Sequence, residues 1–232
     1  MRERPMLFSA PMVRAILAGS KTQTRRVVKH QPPADVVRIE VGNYHPIRFD
    51  RRGEAQPGDE VFGAFDATGS WGCECPHGRP DDEIWVREST HRRPMLNFLN
   101  GEPLDPKYEG GAYSADNEDV LTPEGFDLVW WYSRKSCPSI HMPRRASRIQ
   151  LRIAGVRIEQ LQEISAADAI AEGIEADVQA GDSAPLWRDY RTGGTTFSPV
   201  YSYETLWNSI NGPGAWDVNP FVWIIEFERL KP

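Results

Sequence analysis

Cysteine is scarce in this chain, with three among 232 residues. That is too few for a disulfide framework, and it points to a reducing compartment. No run of about 18 apolar residues occurs, so no membrane-spanning helix is expected. The opening Met1-Arg2-Glu3-Arg4-Pro5 has no apolar core behind it, so a secretory leader is not expected and a cytoplasmic location is. No internal repeat and no low-complexity tract is present. What remains is ordinary: 40% hydrophobic and 26% charged residues, in a chain long enough to bury a core.

The net charge of −6 is unevenly spread. Residues 1–52 hold 11 Lys and Arg against 4 Asp and Glu, a surplus of +7, and the remainder carries −13. A second basic stripe, Arg144, Arg145, Arg148, Arg152 and Arg157, has no acid between its members. Two basic patches on an acidic body suit a localised anion site better than a surface that coats DNA. Solvated arginines on strand faces would give the same pattern.

Met6-Leu7-Phe8 suits a short strand. Ser9 is placed to cap a helix with Pro11 in its first turn, Val13, Ile16 and Leu17 on one face, and Gly19 as its stop. Residues 31–83 are rich in Pro and Gly and predict loops with one or two short strands. The turn signal Pro80-Asp81-Asp82 leads into a strand at 83–88. Residues 92–128 read as a loop-rich insertion with a strand near Gly111–Ala115. Ser147–Ile153 alternates Ile149, Leu151 and Ile153 against Arg148, Gln150 and Arg152, and Gly155 suggests a bulge or bend. Ser165 and Asp168 form a variant capping box for a short helix ended by Gly173. Residues 176–199 predict a mobile loop. Tyr203, Leu206, Trp207 and Ile210 have helical spacing, and Phe221–Glu228 alternates as a strand.

These elements predict one α+β domain spanning residues 1–232, with insertions at about 31–83, 92–128 and 176–199. Strands with one solvated face favour an antiparallel sheet or small barrel.

The densest functional signal is Gly19-Ser20-Lys21-Thr22-Gln23-Thr24-Arg25-Arg26. A helix that stops on Gly and delivers Lys, Thr and Arg is suited to an anionic or amide-bearing ligand. The second is Ile84-Trp85-Val86-Arg87-Glu88, where Glu88 shares the strand face of Ile84 and Val86 and needs a partner if that face is inward. Lys21 and Thr24 converge in a tight turn but diverge in a strand. A buried Lys21 would lose basicity, and its neutral amine could take the Thr24 proton for attack on an amide carbonyl. A close Glu88–Lys21 ion pair would oppose that role, and a purely structural pair with Thr24 capping the turn is the other reading of the same residues.

Together, Leu7-Phe8-Ser9, Ile16–Arg26 and Ile84–Glu88 resemble the ASCH superfamily, which has a PUA-like β-barrel. Pro138–Ile149 and Trp216–Trp223 are similar to ASCH-like proteins carried by phages and prophages. The resemblance implies a small barrel with flanking helices and a cleft for RNA or nucleotides. Some small members remove the acetyl group from acetylcytidine with a Lys, a Thr and a Glu, which map here onto Lys21, Thr24 and Glu88. Another member is a ribonuclease, a role for which His141 would be the candidate. The implied partners are RNA or a modified nucleoside, with no cofactor and no membrane.

Arg25, Arg26, Arg87, Arg144 and Arg148 would then meet phosphate or stack on a base, with Trp85 and Trp130 or Trp131 as platforms and His141 beside them. Each Trp would equally serve as core. Cys73-x-Cys75-x-His77, with Cys137 and His141 distant, lacks the usual zinc-knuckle spacing, so no metal is assigned.

Overall fold

The computed structural model describes residues 2–36, 38–94, 98–99, 102–103, 109–177 and 185–230. Strands dominate a mixed α/β architecture with few helices. The chain groups into two compact units: residues 1–19, 83–152 and 229–232, and residues 20–82 and 153–228. The described sheets are open; none closes into the small barrel that the resemblance implies. Among the described residues no helix is long and apolar enough to cross a membrane.

In the first unit, strand Glu3–Leu7 runs parallel to Glu83–Arg87, from Glu3 opposite Glu83 to Leu7 opposite Arg87. This departs from the antiparallel sheet expected. Gln150–Arg152 pairs antiparallel on the other side of Glu83–Trp85. Ile84 and Val86 are buried, while Glu83, Trp85 and Arg87 lie half-exposed on the opposite face, as a two-residue period requires. Helix Ala10–Leu17 buries Val13 and Ile16, and Gly19 takes the left-handed turn (φ 77°) that only glycine adopts freely. Ser9 sits at the cap position, but its side chain makes no capping hydrogen bond. Strand Thr90–Pro94 pairs with Glu109–Tyr113, near the strand expected at 111–115. Beside it Tyr113, Val120, Met142 and Ala146 form a buried cluster.

In the second unit, Gln23–Val27 pairs antiparallel with the strand Phe221–Arg229, Arg25 facing Ile224. That strand buries Val222, Trp223, Ile224 and Ile225 alike, so it lacks the solvated face its alternation suggested. One reason is the helix Pro199–Asn211, whose Tyr203 and Trp207 join Trp216, Val222 and Ile224 in one core. Gly155 lies within the strand Gln150–Gln160. A Cβ at Gly155 would lie 3.0 Å from the Glu226 carboxylate, so the glycine makes room for that side chain.

Residues 31–83 are richer in strand than their composition suggests. Ile39–Tyr44, Val61–Asp66 and Gly72–Glu74 form one sheet, and Ile47–Phe49 with Ala55–Pro57 a separate hairpin. Gly42 faces Gly63 across the first pair, and a Cβ on Gly63 would collide with the Cys73 carbonyl. Glycines required by close backbone approach erase the alternating pattern by which strands are recognised. Residues 176–199 also contain a small sheet, Ala176–Asp177, Leu186–Arg188 and Thr195–Thr196; the centre of the loop expected there, 178–184, lies outside the described residues.

Candidate functional site

In the second unit the chain from Lys21 to Thr24 is extended and enters the strand Gln23–Val27. Lys21 forms an isolated bridge with Glu172, and Thr22 N–H donates to Ala171 O at 2.9 Å. Extended backbone sends alternate side chains to opposite faces. Lys21, Gln23 and Arg25 therefore share a face, and each binds the short helix Ala166–Ala171 or its end. Lys21 Nζ donates to Glu172 O at 2.7 Å and to Glu172 Oε2 at 3.0 Å. Gln23 Nε2 donates to Asp168 O at 3.1 Å, and Arg25 Nη1 to Glu172 Oε1 at 3.1 Å.

Ser165 Oγ accepts from Asp168 N–H at 3.0 Å, the capping bond its sequence implied, and Gly173 (φ 80°) ends the turn. This fixes the helix that presents Asp168 and Glu172, four residues apart on one face. Both reach Arg25, whose Nη2 is also 3.5 Å from Glu159. The Lys21 and Arg25 side chains have no exposed area. Burial pushes the Lys21 amine below its ordinary range, and the charge and hydrogen bond of Glu172 pull it back up. Arg157 extends the network to Glu159, Asp168 and Glu226.

Thr24 falls on the other strand face from Lys21 and Arg25 and is also buried, opposite Ile225. Arg26 lies on the Thr24 face, half-buried, and burial lowers its guanidinium from the ordinary value.

Glu88 lies in the first unit. Its parity with Ile84 and Val86 does turn it inward, and it is 1% exposed. Its partner there is Arg148, which donates through Nε to Oε1 and through Nη2 to Oε2, both at 3.0 Å. This fork-to-carboxylate geometry is the strongest form of the pair. Arg148 Nη1 also meets Asp116 at 2.8 Å and Glu118 at 2.9 Å, and the guanidinium lies 3.8 Å from the Tyr113 ring centre. Burial raises the Glu88 carboxyl, opposed by Arg148. Lys21 and Glu88 thus each have an oppositely charged partner inside their own unit. Arg25 and Arg148, expected at phosphate, have their charge taken up by carboxylates.

Trp85, Arg87, His141 and Arg144, also expected at the ligand, belong to the first unit. Trp85 stands on the outward strand face with the Arg87 guanidinium 5.3 Å and the Arg144 guanidinium 5.9 Å from its ring centre. Arg87 donates to Ile140 O, joining this strand to the turn Ser139–His141. Arg144 is steadied by Glu3, with Nε to Oε1 at 2.7 Å. His141 is exposed and stacks on Tyr132, ring centres 5.3 Å apart and planes 22° apart. Ile140 beside it is 55% exposed. Trp130 and Trp131 pack on one another at 5.0 Å, and Trp131 lies against the buried Tyr113 cluster.

Cys73, Cys75 and Cys137 are buried free thiols. Among the described residues no group of three or more His, Cys, Asp or Glu is arranged to hold a metal ion. Glu172, Tyr132 and Asp116 were not singled out from the sequence. The Asp168/Glu172 spacing beside a helix stop was the available signal for Glu172. No family model, curated protein or solved structure matches this chain.

Proposed function

We propose that this chain is an ASCH-type, non-catalytic reader of RNA or of a modified nucleoside, and that it stacks unpaired bases on the Trp85 face of the first unit. The carrying observation is the Trp85 ring flanked by the Arg87 and Arg144 guanidiniums, with the exposed His141 stacked on the half-buried Tyr132 beyond Ile140. Aromatic platforms beside cations bind single strands with little sequence preference, because every base has a π face. The motif blocks that resemble the ASCH superfamily support the same reading and are the basis of its PUA-like assignment.

Acyl-amide hydrolysis is the weaker use of the geometry. A general base has to come within about 3 Å of the proton it takes. Lys21 has no exposed area and spends its Nζ on Glu172, and Thr24 stands on the opposite strand face. Both favour binding over turnover.

Anisotropy of a labelled single-stranded RNA tests the reading. Trp85→Ala is expected to weaken binding by about tenfold to a hundredfold, the worth of one stacked base. Arg87→Ala is expected to flatten the salt dependence by about one counterion, and Arg144→Ala, whose charge Glu3 already meets, by less. Acetylcytidine turnover that disappears in Lys21→Ala would overturn the non-catalytic reading, as would RNA cleavage lost in His141→Ala.

A further inference from the structure

Within residues 20–82 a cleft of about 510 Å³ has received no role. Its volume lies in the range of small-molecule sites. Tyr44, Phe49, Phe65 and Trp71 bring four aromatic rings to its lining, with His45 and Asp66 among the polar residues. The Tyr44 and Phe65 rings stack at 5.0 Å with planes 27° apart, and Phe49 is 73% exposed. A side chain at Gly72 would come within 2.8 Å of the Tyr44 ring, so the glycine lets that ring lie where it does.

The electrostatics of the lining are one-sided. Asp66 accepts from Trp71 N–H at 2.7 Å, from Ser70 Oγ at 3.0 Å and from the Thr68 hydroxyl. The Thr68 bond, with the Trp71 amide next, holds its carboxyl down at about 2, so it is ionised at neutral pH. Among the described residues no lysine or arginine lines the cleft. Aromatic faces carry negative quadrupole charge and add to that of the carboxylate. Asp66 is 6% exposed and its oxygens are bound by its own loop, so its charge acts on the cleft from beneath the lining; a cation with a flat body suits the rings and that charge together.

We propose that this cleft binds a flat, positively charged heteroaromatic ring, which for a nucleoside reader is an N-methylated nucleobase. The identification as a nucleobase rests on the proposed function; the charge and flatness of the ligand rest on the cleft alone.

Calorimetric titration of the intact chain with 1-methyladenosine and adenosine, and with 1-methylnicotinamide and nicotinamide, separates the two. Both charged rings are expected to bind at least about tenfold more tightly than their neutral parents. Phe49→Ala, at an exposed position, is expected to weaken both, and Trp85→Ala to weaken neither. Binding of 1-methylnicotinamide without 1-methyladenosine would uphold the cleft and count against the nucleoside reading. Equal affinity for charged and neutral rings would overturn the proposal. So would tetramethylammonium, a charge without a ring, binding as tightly as either.

Discussion

Glu172→Ala is expected to destabilise the protein by about 3–5 kcal/mol, the range for removing one partner from a buried ion pair. The side chain touches two cations, Lys21 at 3.0 Å and Arg25 at 3.1 Å, and neither has exposed area. The Glu172 carbonyl at 2.7 Å is then left to Lys21, and Asp168 and Glu159 at 3.6 and 3.5 Å to Arg25, so both buried cations lose their nearest counter-charge. A loss of this size is a large share of the about 5–15 kcal/mol that holds a typical domain folded. Glu172→Gln keeps an acceptor and is expected to lose less. Glu159→Ala, removing a carboxylate that is 28% exposed and 3.5 Å from Arg25, is expected to cost less than about 1 kcal/mol. Urea midpoints at constant m-value measure all three. If Glu172→Ala and Glu159→Ala cost the same, the cluster is not the buried anchor described here.

Arg148→Ala has a comparable effect in the first unit and a distinctive pH signature. It leaves Glu88, 1% exposed, without its forked partner, at about 3–5 kcal/mol near neutral pH. Burial already raises the Glu88 carboxyl; without Arg148 it rises further. A carboxyl whose folded pKa lies above its unfolded value of 4.5 destabilises the fold where the unfolded chain ionises, and the penalty vanishes once both states are protonated. The deficit of Arg148→Ala should therefore shrink as pH falls from 7 toward 4.5. Asp116 acts with the same sign. Bonds from Arg148 and from the backbone outweigh its desolvation and hold it below its ordinary value of 3.8, so the stability it supplies to the wild type is lost only at lower pH than that range. Arg148→Lys restores charge without the fork and should recover part of the loss. Arg148→Met with Glu88→Gln, which removes both charges, should recover more. A deficit that stays constant with pH would contradict the Glu88 assignment.

These two clusters show where sequence reading reaches and where it stops. Local chemistry was legible: Gly19 and Gly173 stop their helices, Ser165 caps on Asp168, and the parity of Ile84, Val86 and Glu88 turned that carboxylate inward. That Glu88 needs a cation follows from its burial; that the cation is Arg148 rather than Lys21 depends on how residues 60 apart are brought together, which no local period encodes. Glu172 lies 151 residues from Lys21 and was hidden for the same reason. The convergence expected of Lys21 and Thr24 depended on a turn, and the chain is extended there because Gln23–Val27 pairs with the last strand. In 31–83 glycines demanded by close backbone approach looked like loop. The Trp85 face was readable because a strand with alternating inward residues places Trp85 and Arg87 together by period alone.

Ultraviolet cross-linking of single-stranded RNA to the intact wild-type protein, with the attached peptides identified by mass spectrometry, locates the bound bases without any substitution. Attachment at Trp85–Arg87 and at Tyr132–Arg144 is the expected result. Cross-links confined to other segments, or none at saturating RNA, would contradict a reader that works through this face.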